Sequence, residues 1–328
     1  MRSNIDKELI QYHAKYAADS EFSRKARLQQ SKWRELKGYP IGKTPRGDTP
    51  MGNFIEKQFA HEQKVNLLTE NIRQIALDEL ASSKSTGALI QENRLWENTL
   101  SSQPLCFNLF GEMHYDLNLA TDFFKESFPD RAIFRVTAVR FEYSPSRGEK
   151  ALTGDHSAFD AFVEYVTESG NKGFIGIEVK YAESLMEGRD SIKRTFAMHK
   201  EEYLRVSAGA YDASGNGART IFDMDSIEEM AQAPKFQIWR DHLLALSMLQ
   251  ADLYDEGFFL FLYPYQNAEC REGFHEYKDS LAIKSEDAAK RCYLYEGDIF
   301  EYIQRLHDMA GQPWSQELVE RYTWRNED

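Results

Sequence analysis

Residues Phe174-Ile-Gly-Ile-Glu-Val-Lys-Tyr181 decide how the rest of the chain is read. β-Branched and aromatic residues predominate, and the turn cluster Glu168-Ser-Gly-Asn-Lys-Gly173 precedes them, so the segment predicts a strand. Side chains alternate along a strand, which puts Glu178 and Lys180 on one face and Ile175, Ile177, Val179 and Tyr181 on the other. The second set reads as a buried face. Phe174 and Gly176 share the first, so Glu178 and Lys180 do not belong to a plain solvent surface. A carboxylate and an ammonium two residues apart there predict a half-buried polar site in which each keeps the other charged.

Working outward, Ser157-Ala-Phe-Asp-Ala-Phe-Val-Glu-Tyr-Val166 predicts a second strand, joined to the first by a short Gly/Asn-rich turn as in a hairpin. Asp160 lies on it between Phe159 and Ala161, and a hairpin can bring it beside Glu178 at one end of the sheet. Two carboxylates that close need a cation, or one must stay protonated. Mg²⁺ suits them, because it takes hard oxygen ligands and is held by one or two carboxylates plus waters and phosphate; Mn²⁺ can substitute. A lysine beside such an ion can stabilise developing negative charge or help activate water.

Ile133–Tyr143 predicts a further strand, preceded by a helix near 103–126 with a break around Gly111. Helices near 185–206 and 236–253 follow, then an apolar strand at 257–263, a helix near 270–282, a short strand at 291–295 and a helix near 298–309 capped by Asp298. Residues 1–100 read as a helical N-terminal region: a helix over 3–37, a Gly/Pro-rich loop over 38–52 that no regular element crosses, then helices near 54–82 and 89–100. Arg24, Lys25, Arg27, Lys32 and Arg34 form a basic cluster around Trp33. It reads either as a phosphate-contacting face with a stacking ring, or as a solvated helix face whose tryptophan packs inward. The predicted class is α/β, with a mixed sheet.

Acidic residues outnumber basic ones 53 to 40, which excludes a uniformly basic nucleic-acid coat but not a local basic groove. No apolar run reaches membrane-span length and no signal-like stretch opens the chain, so a cytoplasmic location with no membrane partner is expected. Cys106, Cys270 and Cys292 are too scattered for a disulfide framework or a zinc site. The histidines show no metal-binding spacing, although His156 lies near the predicted site. Serine-hydrolase elbows and phosphate-binding P-loops are missing, and Asp212–Gly217 lacks the spacing of a calcium loop.

Asp160 followed by Glu178-Val-Lys180, in the order helix, three strands, helix, strand, resembles the PD-(D/E)XK nuclease superfamily. That resemblance covers about residues 103–265, within a nuclease-like domain of residues 101–328. Arg27-Leu-Gln-Gln-Ser-Lys-Trp-Arg34, Cys106-Phe-Asn-Leu-Phe-Gly111 and Gln237-Ile-Trp-Arg-Asp-His-Leu-Leu244 resemble a bacterial restriction-endonuclease group. The resemblance implies a restriction-endonuclease-like core in which Asp160, Glu178 and the Val179 carbonyl hold Mg²⁺ while Lys180 stabilises charge or orients water. It implies hydrolysis of DNA phosphodiesters, in restriction or phage defence, with a homodimer suited to cutting two strands.

The sequence departs from the family motif where Phe159 stands in place of proline, and Asp155 competes for the role of first acid. Glu112 and Glu142 are candidate added acids, with ion-paired surface carboxylates as the other reading. Gln237 and Arg240 are either positioning residues or plain helix surface. A nuclease-like module that binds DNA or protein without cutting is the alternative, and a metal hydrolase for RNA or a small phosphate ester is a third.

Overall fold

Ser20 starts the first long helix by accepting a hydrogen bond from the Ser23 amide, so the helix expected over 3–37 is in fact two. A computed structural model describes residues 2–45, 47–87, 90–145, 147–213, 219–284 and 288–324. Helix α1 (Arg2–Gln11) ends before His13, at φ 51°, and α2 spans Glu21–Leu36. The following Gly/Pro-rich stretch is not a plain loop: β1 (Ile41–Lys43) and β2 (Pro50–Ile55) pair antiparallel. Pro50 is the first residue of its strand, where a missing N–H does little harm. Gly52 is required by close approach, since a Cβ there would lie 2.0 Å from the Tyr12 carbonyl oxygen.

The helix expected over 54–82 therefore starts late and breaks in two, α3 (Lys57–Gln63) and α4 (Glu70–Thr86), with Thr69 capping the second. The one expected at 89–100 shrinks to a π-helical turn, Asn93–Glu97. Helices α5 (Ser102–Tyr115) and α6 (Leu117–Ser127) are separated at Asp116, not Gly111. Asp116 accepts the Asn118 and Leu119 amides and so restarts the chain as a new helix. Gly111 stays within α5, and its missing side chain makes room for Ile72: a Cβ would meet Ile72 Cγ1 at 2.8 Å.

Strands β3 (Arg135–Tyr143), β4 (Phe159–Val166) and β5 (Lys172–Val179) form an antiparallel meander. Helices α7 (Arg189–Ala208) and α8 (Lys235–Gln250) then cross over to β6 (Glu256–Tyr263), parallel to β5. After α9 (Ala268–Asp279) and α10 (Ala288–Arg291), β7 (Leu294–Asp298) adds parallel to β6, a few residues later than the sequence suggests. Helix α11 (Ile299–Ala310) is capped by Asp298 as expected, and α12 (Pro313–Tyr322) follows. The sheet order is β3-β4-β5-β6-β7, a mixed sheet in the helix, three strands, helix, strand arrangement. The loop Asp212–Gly217 lies, from residue 214 on, outside the described residues.

The sheet separates two cores. Ile175, Ile177 and Val179 face one, with Phe107, Phe110 and Phe123 of α5 and α6; Phe162, Phe174, Phe259 and Phe261 face the other, with Trp239 and Leu243 of α8. The alternation read from residues 174–181 is present. Phe22, Ala26 and Ile72 of the N-terminal elements join the first core. Beside it, Arg321 of α12 is fully buried, donating to Gln30 Oε1 at 3.1 Å and to the Asn66 carbonyl at 2.8 Å, with its guanidinium 4.0 Å from the Trp33 ring centroid. Trp33 is thus an internal ring, not a stacking face. Among the described residues no helix is long and apolar enough to cross a membrane.

Gly176 lies on the same face as Glu178, and a Cβ there would meet the Phe159 ring at 2.5 Å. Replacing Gly176 with alanine should push Phe159 out of register and cost about 1–3 kcal/mol, read as a lowered urea midpoint with an unchanged slope.

Candidate active site

The β4–β5 ladder runs from Val166 opposite Lys172 to Ala161 opposite Ile177 and stops one residue short of Asp160. The Asp160 side chain extends the pairing: its Oδ2 accepts the Val179 N–H at 2.8 Å. One residue on, the Lys180 amide donates to the Leu262 carbonyl of β6 at 2.9 Å, which keeps the chain in the sheet through the motif. Glu178 Oε1 accepts from Lys180 Nζ at 2.6 Å and from Gln237 Nε2 of α8 at 2.6 Å. Glu178 and Lys180 are 5% and 9% exposed, so little water dilutes this pairing.

These groups line a cleft of about 260 Å³ together with Glu142, Asp241 and the cations Arg94, Arg147 and Arg240. Burial dominates its electrostatics, with crowding of like charge second. Burial, then Glu178 and Glu142, raise the Asp160 pKa well above the usual carboxylate range. Burial followed by Glu178 does the same to Asp241, whose Oδ2 has no hydrogen-bond partner. Glu142, at φ 46° near the end of β3, is raised by burial and by Glu178, against a 3.2 Å hydrogen bond from Gln103. Burial opposes the charge on Lys180, but Glu178 and Asp160 outweigh it and raise its pKa above the ordinary lysine range.

Asp155 is not part of the cleft wall. Its carboxylate accepts from Thr153, Ser157, Tyr203 and Arg240, with the Arg240 contact at 2.9 Å, and these partners lower its pKa despite burial. Its place is behind the site, holding Arg240 there. Glu112 is not brought to the site either: it accepts from Thr69 Oγ1 and from Asn71 at 3.1 Å, tying α5 to the start of α4. Glu142 and Gln237 do line the cleft, as does His156, whose carbonyl accepts from Arg147 at 3.1 Å.

The basic cluster of α2 is not a free cationic face. Arg27 gives two nitrogens to Asp19 and a third to Asn53, each at 2.7 Å. Arg34 is buried and donates to the Gly52 and Tyr39 carbonyls. Lys25 pairs with Glu21 at 3.2 Å and Lys32 with Glu8 at 2.8 Å, while Arg24 Nε is buried with no hydrogen-bond partner. Charge composition could not foresee this, because most of the partners belong to other turns of the chain. Asp241 escaped the sequence reading too, although it stands four residues after Gln237, one helical turn along the same face. Arg94 and Arg147 carried no sequence signal.

A family model of the PD-(D/E)XK nuclease superfamily matches residues 17–324. The chain belongs to that superfamily. No curated protein and no solved structure matches it. The match takes in the N-terminal elements as well as the sheet. Members of the superfamily generally use divalent metal ions, and the donor chemistry here fits one. Asp160 and Glu178 are hard oxygen donors whose mutual repulsion a cation would relieve. Among the described residues no group of three or more His, Cys, Asp and Glu side chains is placed to hold a metal. Two carboxylates with waters and a phosphate are the usual Mg²⁺ complement.

Because the folded state raises the Asp241 pKa, folding favours its protonated form, and the stability this costs appears only above about pH 4, where an unfolded Asp ionises. Asp241→Asn should therefore raise Tm by about 2 °C at pH 8 in EDTA and leave it unchanged near pH 4, as followed by thermal denaturation.

Proposed function

We propose that this chain is a divalent-metal-dependent phosphodiesterase that cuts DNA. The observation that carries the reading is the meeting of Asp160, Glu178 and Lys180 at the adjoining ends of β4 and β5 in a cleft edged by three arginines. Asp160, Glu178 and the Val179 carbonyl would hold Mg²⁺, or Mn²⁺ in its place. Such an ion supplies Lewis acidity, polarising the phosphoryl group and making water a stronger nucleophile.

The protein's own part follows from its charges. Lys180, 2.6 Å from Glu178, would stabilise negative charge growing on the phosphate oxygens or orient water. Gln237 fixes the Glu178 carboxylate through its 2.6 Å hydrogen bond. Arg240, anchored by Asp155, and Arg94 and Arg147 on the cleft wall supply the positive field for a polyanion. The strand is thus held chiefly by the cleft. Cleavage of incoming DNA, as in restriction or phage defence, is the biological use proposed, with two copies of the chain serving the two strands of a duplex.

Plasmid cleavage by the purified chain tests this. Nicking or linearisation in Mg²⁺ or Mn²⁺ should vanish in EDTA, and Asp160→Asn, Glu178→Gln and Lys180→Ala should each lower the rate by about 10²–10³-fold. Near-wild-type cutting by Glu178→Gln would remove the assignment. Mg²⁺ at about a hundred times its Kd should raise the wild-type Tm by about 5 °C and leave Asp160→Asn unmoved. Silence in both assays would instead favour a nuclease-like binding module in which Glu178 and Lys180 are a structural ion pair.

A further inference from the structure

Beyond the catalytic cleft, across Arg94, lies a second pocket of about 440 Å³. Arg94 lines both. The two are also joined along the chain, because Ala182 and Glu183 of this pocket follow Lys180 by two and three residues; at 3.8 Å per Cα step, Ala182 Cα lies within about 8 Å of that of Lys180. Its walls are mainly apolar, formed by Met51, Phe54 and Leu100, and Asn93 and Asn98 add side-chain amides. Tyr16 stands at its edge with half of its surface exposed, and Arg27 lies 5.0 Å over that ring.

The charges here cancel. Arg27 is forked onto Asp19, and Arg94 Nη2 donates to Glu183 Oε1 at 2.8 Å. Among the described residues a phosphate therefore finds no unpaired cation in this pocket, whereas Arg147 of the cleft next door donates to the main-chain carbonyls of Glu142 and His156 and not to a carboxylate. Apolar walls, the Asn93 amide (the Asn98 Oδ1 already accepts from Asn53 and Leu100) and an open aromatic face suit a neutral planar heterocycle. The geometry points to a nucleobase pocket: it takes one unstacked base of the polynucleotide whose phosphate lies at Asp160, Glu178 and Lys180. The inference rests on a polynucleotide as the ligand of the cleft. It makes the substrate a single strand, or a duplex from which one nucleotide has been turned out, and it makes the base beside the cut matter.

Binding of a fluorescent single-stranded thymidine oligonucleotide to the full chain in EDTA, set against an abasic strand of equal length, decides it. The wild type should bind the intact strand at least about tenfold tighter. Asn93→Trp, which fills the pocket, and Tyr16→Ala, which removes the exposed ring, should each reduce that preference about tenfold and leave abasic binding unchanged. If Asn93→Trp loses its cooperative melting, Tyr16→Ala alone decides, since that ring is half-exposed. Equal binding of both strands by the wild type, binding of neither, or a preference retained in Tyr16→Ala overturns the pocket. Metal-dependent cutting of the intact strand is scored separately. Cutting without base preference removes the pocket and keeps the nuclease reading; base preference without cutting does the reverse.

Discussion

Burial of several carboxylates side by side at the end of β4 and β5 is the constraint around which this protein is arranged. Asp160, Glu178, Glu142 and Asp241 line one small cleft, and the ammonium of Lys180, 2.6 Å from Glu178, stands against them with the guanidiniums of Arg94, Arg147 and Arg240. A hydrophobic core would not gather such groups unaided, because burial favours their neutral forms. The surrounding elements hold them there. The sheet fixes the backbone on both sides of β5, α8 supplies Gln237 and Arg240, and the Asp155 network behind Arg240 keeps that cation directed at the cleft.

Helix α8 joins the two requirements. Its apolar side, with Trp239 and Leu243, packs on the phenylalanine-rich face of the sheet, while Gln237, Arg240 and Asp241 line the cleft. The packing of the sheet and the lining of the cleft therefore share one helix. A change in how α8 seats on the sheet moves the donor to Glu178, the cation held by Asp155 and the Asp241 carboxylate together.

Much of this was legible in residues 157–181 because strand alternation is a strict rule of two: once the hairpin is recognised, the faces of Asp160, Glu178 and Lys180 follow. The helix, three strands, helix, strand order was readable for a related reason, since its elements are long and bounded by turn residues. The β1–β2 hairpin was not readable, because Gly and Pro signal turns and its short strands hold only through tertiary contacts such as Gly52 against Tyr12. The α2 cluster misled for the opposite reason. Its charges are real, but Asp19, Glu21 and Glu8 neutralise several of them, and Arg34 is spent on main-chain carbonyls inside the fold. Asp241 and Arg94 belong to the site through packing between elements far apart in the chain, which no local pattern encodes.

The buried Arg321 has a consequence for how the molecule is made. It reaches back 291 residues to Gln30 and 255 to Asn66, and with Trp33 beneath it these are among the longest-range contacts in the fold. Closing so long a loop is slow, and it cannot happen while residue 321 is still inside the ribosome. Until then the inner side of α2 and the acceptors of Asn66 lack their partner. Vectorial synthesis thus imposes an order on the molecule: the sheet with its acidic cleft can collapse first, and the inner side of α2 is sealed only when α12 emerges.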